Sequence, residues 1–323
     1  MNRFAAVLAA AGTVLAAGTA PAQEPLRLAS PDGRNQVAVE VREGRLRYAV
    51  KRDGRDVLLP SALGFEFRGA PPLRDSLRVT GTARNAVDRR WTQPWGEVRE
   101  VRDHHHELRV SVVETAAPGR RFDVVFRAFD DGVGFRYELP EQPGLGAFEI
   151  MEELTEFALA DNARAWWIPA NVPEPDRQEM LYSSGPVSRL DTVHTPLTLQ
   201  TSGGVQVVIH EADLADYAGM YLAGTGGRTL RPALPRWADG VAVRGRTPFA
   251  TPWRTLQLAD RPEELAPSLL TLKLNPPSRI ADTRWIRPMK YNGIWWSMHV
   301  NRATWTAGPK HGATTENARR YLD

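Results

Sequence analysis

Phe122-Asp123-Val124-Val125-Phe126-Arg127-Ala128-Phe129-Asp130-Asp131-Gly132-Val133-Gly134-Phe135-Arg136-Tyr137-Glu138-Leu139 decides the fold class. Phe122, Val124 and Phe126 alternate before the Asp-Asp-Gly break, and Phe135, Tyr137 and Leu139 alternate after it. Each half therefore carries one apolar face at the two-residue period of a β-strand. Asp130-Asp131-Gly132 supplies the residue types that a tight hairpin turn requires, so the acidic pair reads as turn chemistry rather than as a catalytic pair.

The same grammar extends in both directions. Val37, Val39 and Val41 alternate up to a turn at Arg42-Glu43-Gly44, Leu46 to Val50 resumes the strand, and Lys51-Arg52-Asp53-Gly54 signals the next hairpin. Leu108, Val110 and Val112 repeat the pattern, and Val205 to Glu211 reads as another strand. From Leu26 to about Leu274 the expectation is a mainly β chain forming a large antiparallel β-sandwich. Ala160 to Ser188 interrupts it. Trp166-Trp167-Ile168-Pro169, further prolines and Asp176-Arg177-Gln178-Glu179 predict a long ordered loop, of the kind that carries function. A short helix is expected at Asp260 to Leu265, with Asp260 as its cap and Pro262 in its first turn. Asn275-Pro276-Pro277-Ser278 reads as a linker.

Beyond the linker the pattern changes. Tyr291-Asn292-Gly293-Ile294-Trp295-Trp296-Ser297-Met298-His299 predicts a strand buried on both faces, in which Trp295 and Trp296 point to opposite sides. A polar loop follows, and a helix is expected from Thr314 or Thr315, with Ala318, Tyr321 and Leu322 on one face. Strand, loop and helix make the first βα unit of a (β/α)₈ barrel, truncated within that helix. The expected organisation is a signal peptide at 1–22, a β-sandwich domain at 24–278 and the start of a barrel at 279–323.

Arg3, the small apolar run Ala5 to Ala17 and Ala20-Pro21-Ala22 have the form of a cleavable secretory signal, which implies a periplasmic or secreted protein. No later segment offers about 18 uninterrupted apolar residues, so no membrane span is expected. The chain has no cysteine, and an exported fold without disulfides must stand on its core alone. The net charge of +3 is spread along the chain without a basic run, which argues against nucleic-acid binding. Ten tryptophans suit either a β core or contact with sugar rings.

Several motifs, in order, resemble those of glycoside hydrolase family 97. They are Trp91-Thr92-Gln93-Pro94-Trp95-Gly96-Glu97, Phe126 to Tyr137, His210-Glu211-Ala212, Thr251-Pro252-Trp253-Arg254-Thr255, Lys290-Tyr291-Asn292-Gly293-Ile294-Trp295-Trp296 and Lys310-His311-Gly312-Ala313-Thr314-Thr315-Glu316-Asn317. The resemblance covers essentially the whole chain after the signal. It implies an exported α-glucosidase or α-galactosidase acting on oligosaccharides, with an N-terminal β-sandwich of the galactose-mutarotase type, a catalytic (β/α)₈ barrel and a Ca²⁺ ion in the active site. It implies further that the carboxylates of glycoside hydrolysis come from later barrel strands, so that no catalytic residue is assigned here and the chain alone is expected to be inactive.

The resemblance also nominates binding residues. Trp167-Ile168-Pro169 followed by a polar loop makes Glu179 the position matching a calcium-ligand glutamate, and loop carboxylates suit a hard cation. Trp295 matches a tryptophan of the sugar pocket, whereas Trp296 is assigned to the core. His299 and His311, in the loop after the first barrel strand, are candidate sugar contacts. His104-His105-His106 is not read as a metal tract, because successive strand residues cannot all face one ion. His210 and Glu211 are given a structural role at a domain interface. The competing expectation is a non-catalytic exported carbohydrate-binding β-sandwich module. Oligomeric state and the choice between glucoside and galactoside are left open.

Overall fold

The computed structural model describes residues 24–170, 180–291 and 293–322. The signal segment 1–22 and Glu179 lie outside the described residues. The structure is dominated by antiparallel strands. The largest sheet runs in the order Ser183–Pro186, Arg164–Trp167, Leu197–Gln200, Gln206–Ala212, Trp253–Ala259, Gly132–Leu139, Arg121–Phe129, Glu100–Glu114 and Leu77–Thr92, with Phe249–Ala250 paired onto Gly132–Leu139. The opening hairpin therefore lies inside this sheet. Phe129 pairs with Gly132 and Phe126 with Phe135, which leaves Asp130-Asp131 as the two-residue turn. Gly132 is required there, since a Cβ would overlap the carbonyl oxygen of Leu256 and the side chain of Leu270.

Three smaller sheets face this one or flank it. Leu26–Ala29, Asn35–Arg42, Arg45–Arg52 and Arg55–Ala62 form a meander whose third turn places Asp53 at φ 49° and Gly54 at φ 75°. That geometry is the type I′ turn the Asp-Gly pair predicts. One continuous core joins the layers. Val37, Tyr48, Phe65, Phe126, Phe135, Tyr137, Phe157, Leu199 and Ile209 all contribute to it and are essentially inaccessible. The ring of Tyr48 lies 4.7 Å from that of Phe135, and Phe65 lies 4.5 Å from Tyr137. Rings of this size bury enough apolar area to hold a cysteine-free sandwich together.

Part of the other face of the large sheet is covered as well. The short helix Leu270–Leu274 seats Leu270 and Leu274 against Val125, Phe129, Ala212 and Trp253. Trp253 is 1% exposed, and the guanidinium groups of Arg127 and Arg136 each lie 4.6 Å from its ring. Trp253–Ala259, a central strand of this sheet, is accordingly buried at every residue but the half-buried Gln257, and its polar Arg254 and Thr255 are buried with the rest.

Two expectations in this region are corrected. Asp260 does not cap a helix: the element is a single 3₁₀ turn, Pro262–Glu264, whose N-cap is Arg261. The Asp260 carboxylate is instead engaged by Arg34, by Arg52 at 3.0 Å and by Arg55 at 2.7 Å, a set of cations that local sequence could not reveal. The stretch Ala160 to Ser188 is not one loop. Arg164–Trp167 and Ser183–Pro186 pair with each other at the edge of the large sheet, and Val187–Arg189 forms a 3₁₀ turn.

The chain divides into two compact units, one reaching to Arg90 and continuing over Arg102–Pro276, the other comprising Trp91–Val101 with Pro277–Asp323. In the second unit the predicted strand over Tyr291 to His299 is absent. Trp296–His299 is one turn of α-helix, with Trp295 as its N-cap in helical geometry. A strand buried on both faces needs neighbouring strands on each side, and no strand of this unit flanks the segment among the described residues. The predicted terminal helix is present as Thr315–Leu322. Thr314 caps it, its Oγ1 accepting from the Asn317 backbone N–H at 3.2 Å. Its expected apolar face is open, Tyr321 and Leu322 both being exposed. No helix among the described residues is long and apolar enough to cross a membrane.

Candidate functional site

Trp295 and His299 meet. Their rings lie 4.3 Å apart at an interplanar angle of 77°, an edge-to-face contact made possible by their i,i+4 spacing on one helical turn. Both side chains are exposed, Trp295 by 43%. The strand geometry would have made sugar contact by Trp295 and by Trp296 mutually exclusive, but on a helix the constraint disappears. Trp296 is 65% exposed, which corrects its assignment to the core, and it lines a hollow of about 430 Å³ with Ser297, Val300, Arg302 and Tyr321.

His311 is held to the same turn through its neighbour. Lys310 to Gly312 clamps onto Thr304, which donates its N–H to the Lys310 carbonyl at 2.8 Å and accepts from Gly312 at 3.0 Å. Gly312 is buried so closely against this turn that a Cβ there would lie 2.5 Å from Ala303 Cβ and 3.2 Å from Met298 Sδ. Asn317 Nδ2 donates to the Gly312 carbonyl at 3.0 Å. The motif Lys310 to Asn317 is thereby folded onto the turn that carries Trp295 and His299. His311 itself is half-buried, and its Nδ1 has no partner among the described residues.

The other nominated groups separate. Glu179 lies outside the described residues. Among those described, no three His, Cys, Asp or Glu side chains converge as a metal-binding group. The histidine tract alternates as expected. His105 points inward, where its Nδ1 meets Asp103 at 2.6 Å, while His106 Nδ1 turns the other way to the Ala29 carbonyl at 2.9 Å.

In the first unit, two of the motifs meet in a buried charge network that sequence inspection missed. Arg254 donates through Nε and Nη2 to Glu153 at 2.9 and 2.5 Å, and through Nη1 to Glu211 at 2.7 Å. Thr155 and Tyr217 hydroxyls also donate to Glu153, at 2.8 and 2.9 Å, and Glu211 accepts from the Met220 N–H at 2.9 Å. Burial alone would raise the Glu153 carboxyl, but the charge and hydrogen bonds of Arg254 outweigh it and hold the group below the usual carboxylate range. With four donors satisfied, Glu153 is a structural anion and has no capacity left to act as an acid or base. Burial pushes neighbouring His210 below the ordinary imidazole range. Only the pairing of Gln206–Ala212 with Trp253–Ala259 brings Glu211 opposite Arg254, and nothing in Met151-Glu152-Glu153 announces the third member.

Residues 28–277 match the family described as Glycosyl-hydrolase 97 N-terminal. A retaining alpha-galactosidase of Bacteroides thetaiotaomicron is 25% identical over 307 residues, which are 85% of this chain and 45% of that protein. A probable retaining alpha-galactosidase of Streptomyces bingchenggensis is 32% identical over 303 residues, 93% of this chain and 43% of that protein. Among solved structures, a glycoside hydrolase family 97 enzyme from Pseudoalteromonas sp. strain K8 in complex with panose superposes with a TM-score of 0.88 at 41% identity, covering 92% of this chain and 45% of that one. The chain thus spans under half the length of the relatives it matches.

Proposed function

The chain belongs to glycoside hydrolase family 97, and from that premise we propose that it provides the β domain and the first sugar-contacting turn of an exported glycosidase that cleaves terminal α-glucosidic bonds in oligosaccharides. The edge-to-face pair of Trp295 and His299, exposed beside the folded-back Lys310 to Asn317 motif, carries the proposal. An indole braced by an imidazole presents a rigid apolar surface to the C–H face of a pyranose, at small cost in side-chain entropy. The higher identity to the enzyme complexed with panose, a trisaccharide of glucose, supports a glucoside over a galactoside. The names of the two curated relatives keep α-galactosides as the second reading.

The proposal includes a Ca²⁺ ion in the whole protein with Glu179 among its ligands, a loop carboxylate being chemically suited to a hard cation. Such an ion would polarise a glycosidic oxygen. The residues on this chain bind and orient: Trp295 stacks on the sugar, His299 fixes the indole, and His311 offers a ring nitrogen to a hydroxyl. The two carboxyl groups of hydrolysis are not assigned to this chain. The test compares hydrolysis of p-nitrophenyl α-glucoside and α-galactoside by the whole protein and by its Trp295→Ala variant. A drop in kcat/KM of about tenfold or more on the glucoside is expected. Turnover of neither substrate overturns the glycosidase reading, and an unchanged kcat/KM removes Trp295 from the sugar site.

A further inference from the structure

A groove of about 760 Å³ opens on the first unit, within the size range of small-molecule sites. Its floor is Tyr217 and Phe249, with ring centroids 6.2 Å apart at 33°. Tyr217 is locked in place, because its hydroxyl donates to the saturated Glu153 at 2.9 Å. The wall is Trp237, 65% exposed, whose backbone is fixed by a tight turn: its N–H donates to Val241 at 2.8 Å and its carbonyl accepts from Gly240 at 2.8 Å.

The charges around the groove select the ligand. Arg244 sits 5.8 Å from the Trp237 ring centroid and is neutralised by Asp239 at 2.5 Å and Glu149 at 3.3 Å. Arg246 and Asp216 also line the groove, and the side chain of each lacks a hydrogen bond or ion pair among the described residues. One free guanidinium and one free carboxylate leave the groove with no net demand for a charged partner. They do supply donors and acceptors in the forked geometry that vicinal hydroxyls satisfy. An exposed indole wall over a rigid aromatic floor fits the alternating apolar and polar faces of a pyranose.

We propose that this groove is a binding site for a pyranose unit of a neutral oligosaccharide, with Trp237 stacking on the sugar and Arg246 and Asp216 holding its hydroxyls. The site shares no residue with the Trp295 turn, so the two readings stand or fall separately. The test is calorimetric titration of the purified chain carrying Trp295→Ala, with panose, maltotriose and raffinose as probes. Trp295→Ala removes the stacking ring of the other site, and the groove variants below assign the remaining heat to the groove. Saturable binding is expected for at least one probe, weakened about tenfold or more by Trp237→Ala and by Arg246→Ala, and retained by Trp237→Phe. Near-ultraviolet circular dichroism establishes that each variant is folded. Absence of binding by all three probes, or binding that Trp237→Ala leaves unchanged, overturns the proposal.

Discussion

Arg254 and Glu153 form a bidentate ion pair in the interior of the β-sandwich, at 2.5 and 2.9 Å, with neither side chain more than 1% exposed. The pair joins the strand Trp253–Ala259 to Ala147–Glu153, which belong to different sheets. It acts as a polar rivet between layers otherwise held by apolar contact. Breaking such a pair on one side leaves an uncompensated buried charge, which costs more than the intact pair contributes. Glu153→Gln is therefore expected to destabilise the protein by about 3–5 kcal/mol. Chemical denaturation would measure this, and the double variant Glu153→Gln with Arg254→Met should lose less than the sum of the two single changes. Simple additivity would show that the partners are not coupled.

Asp260 gives the fold an acid sensitivity of definite sign. The hydrogen bond from Arg52 is the largest influence on its carboxyl; burial opposes it, and the hydrogen bonds from Arg34 and Arg55 add to it, so that the group is held below the usual range. A depressed folded-state pKa contributes stability that is fully present above the unfolded value of about 4 and is lost as pH falls through the folded one. Asp260→Asn should thus cost about 1–3 kcal/mol at pH 7, and the gap to wild type should close steadily below about pH 4. Thermal unfolding across pH 2 to 7 checks both statements, and a gap that widens on acidification would refute them.

The Trp253 ring has two guanidinium groups, those of Arg127 and Arg136, each 4.6 Å from it, and the helix Leu270–Leu274 packs against it. Trp253→Ala is expected to cost about 3–5 kcal/mol through the cavity alone. Trp253→Phe should recover much of that loss, since it keeps a ring for Arg127 and Arg136. Comparison of the two melting curves separates packing from a merely local effect of the indole.

The purified chain without residues 1–22 is expected to show no turnover of p-nitrophenyl α-glucoside or α-galactoside, because hydrolysis requires a pair of carboxyl groups that none of the assigned residues supplies. Release of p-nitrophenol above the rate of a boiled control would contradict this and would direct attention to carboxylates within the chain.

In the whole protein, His299→Ala is expected to raise KM for the α-glucoside more than it lowers kcat, because loss of the brace frees the Trp295 ring without removing it. A fall in kcat with KM unchanged would point instead to a direct role in the chemistry.

By itself the sequence determined the sandwich. Period-2 alternation and turn residues such as Asp53-Gly54 and Asp130-Asp131-Gly132 act over a few bonds, so hairpins from Asn35–Arg42 to Gly132–Leu139 were legible directly. It also identified the ordered motifs that carry the family resemblance. Tertiary structure alone decided which charges meet. Asp260 looked like a helix cap until Arg34, Arg52 and Arg55 arrived from more than 200 residues away, and Glu211 found Arg254 and Glu153 only through sheet register. It also decided the conformation of Trp295-Trp296. An apolar run with no alternation fits a doubly buried strand or a helical turn equally well, and only the presence or absence of neighbouring strands chooses between them. Local periodicity reports the backbone a residue prefers, whereas partners distant in sequence determine what its side chain touches.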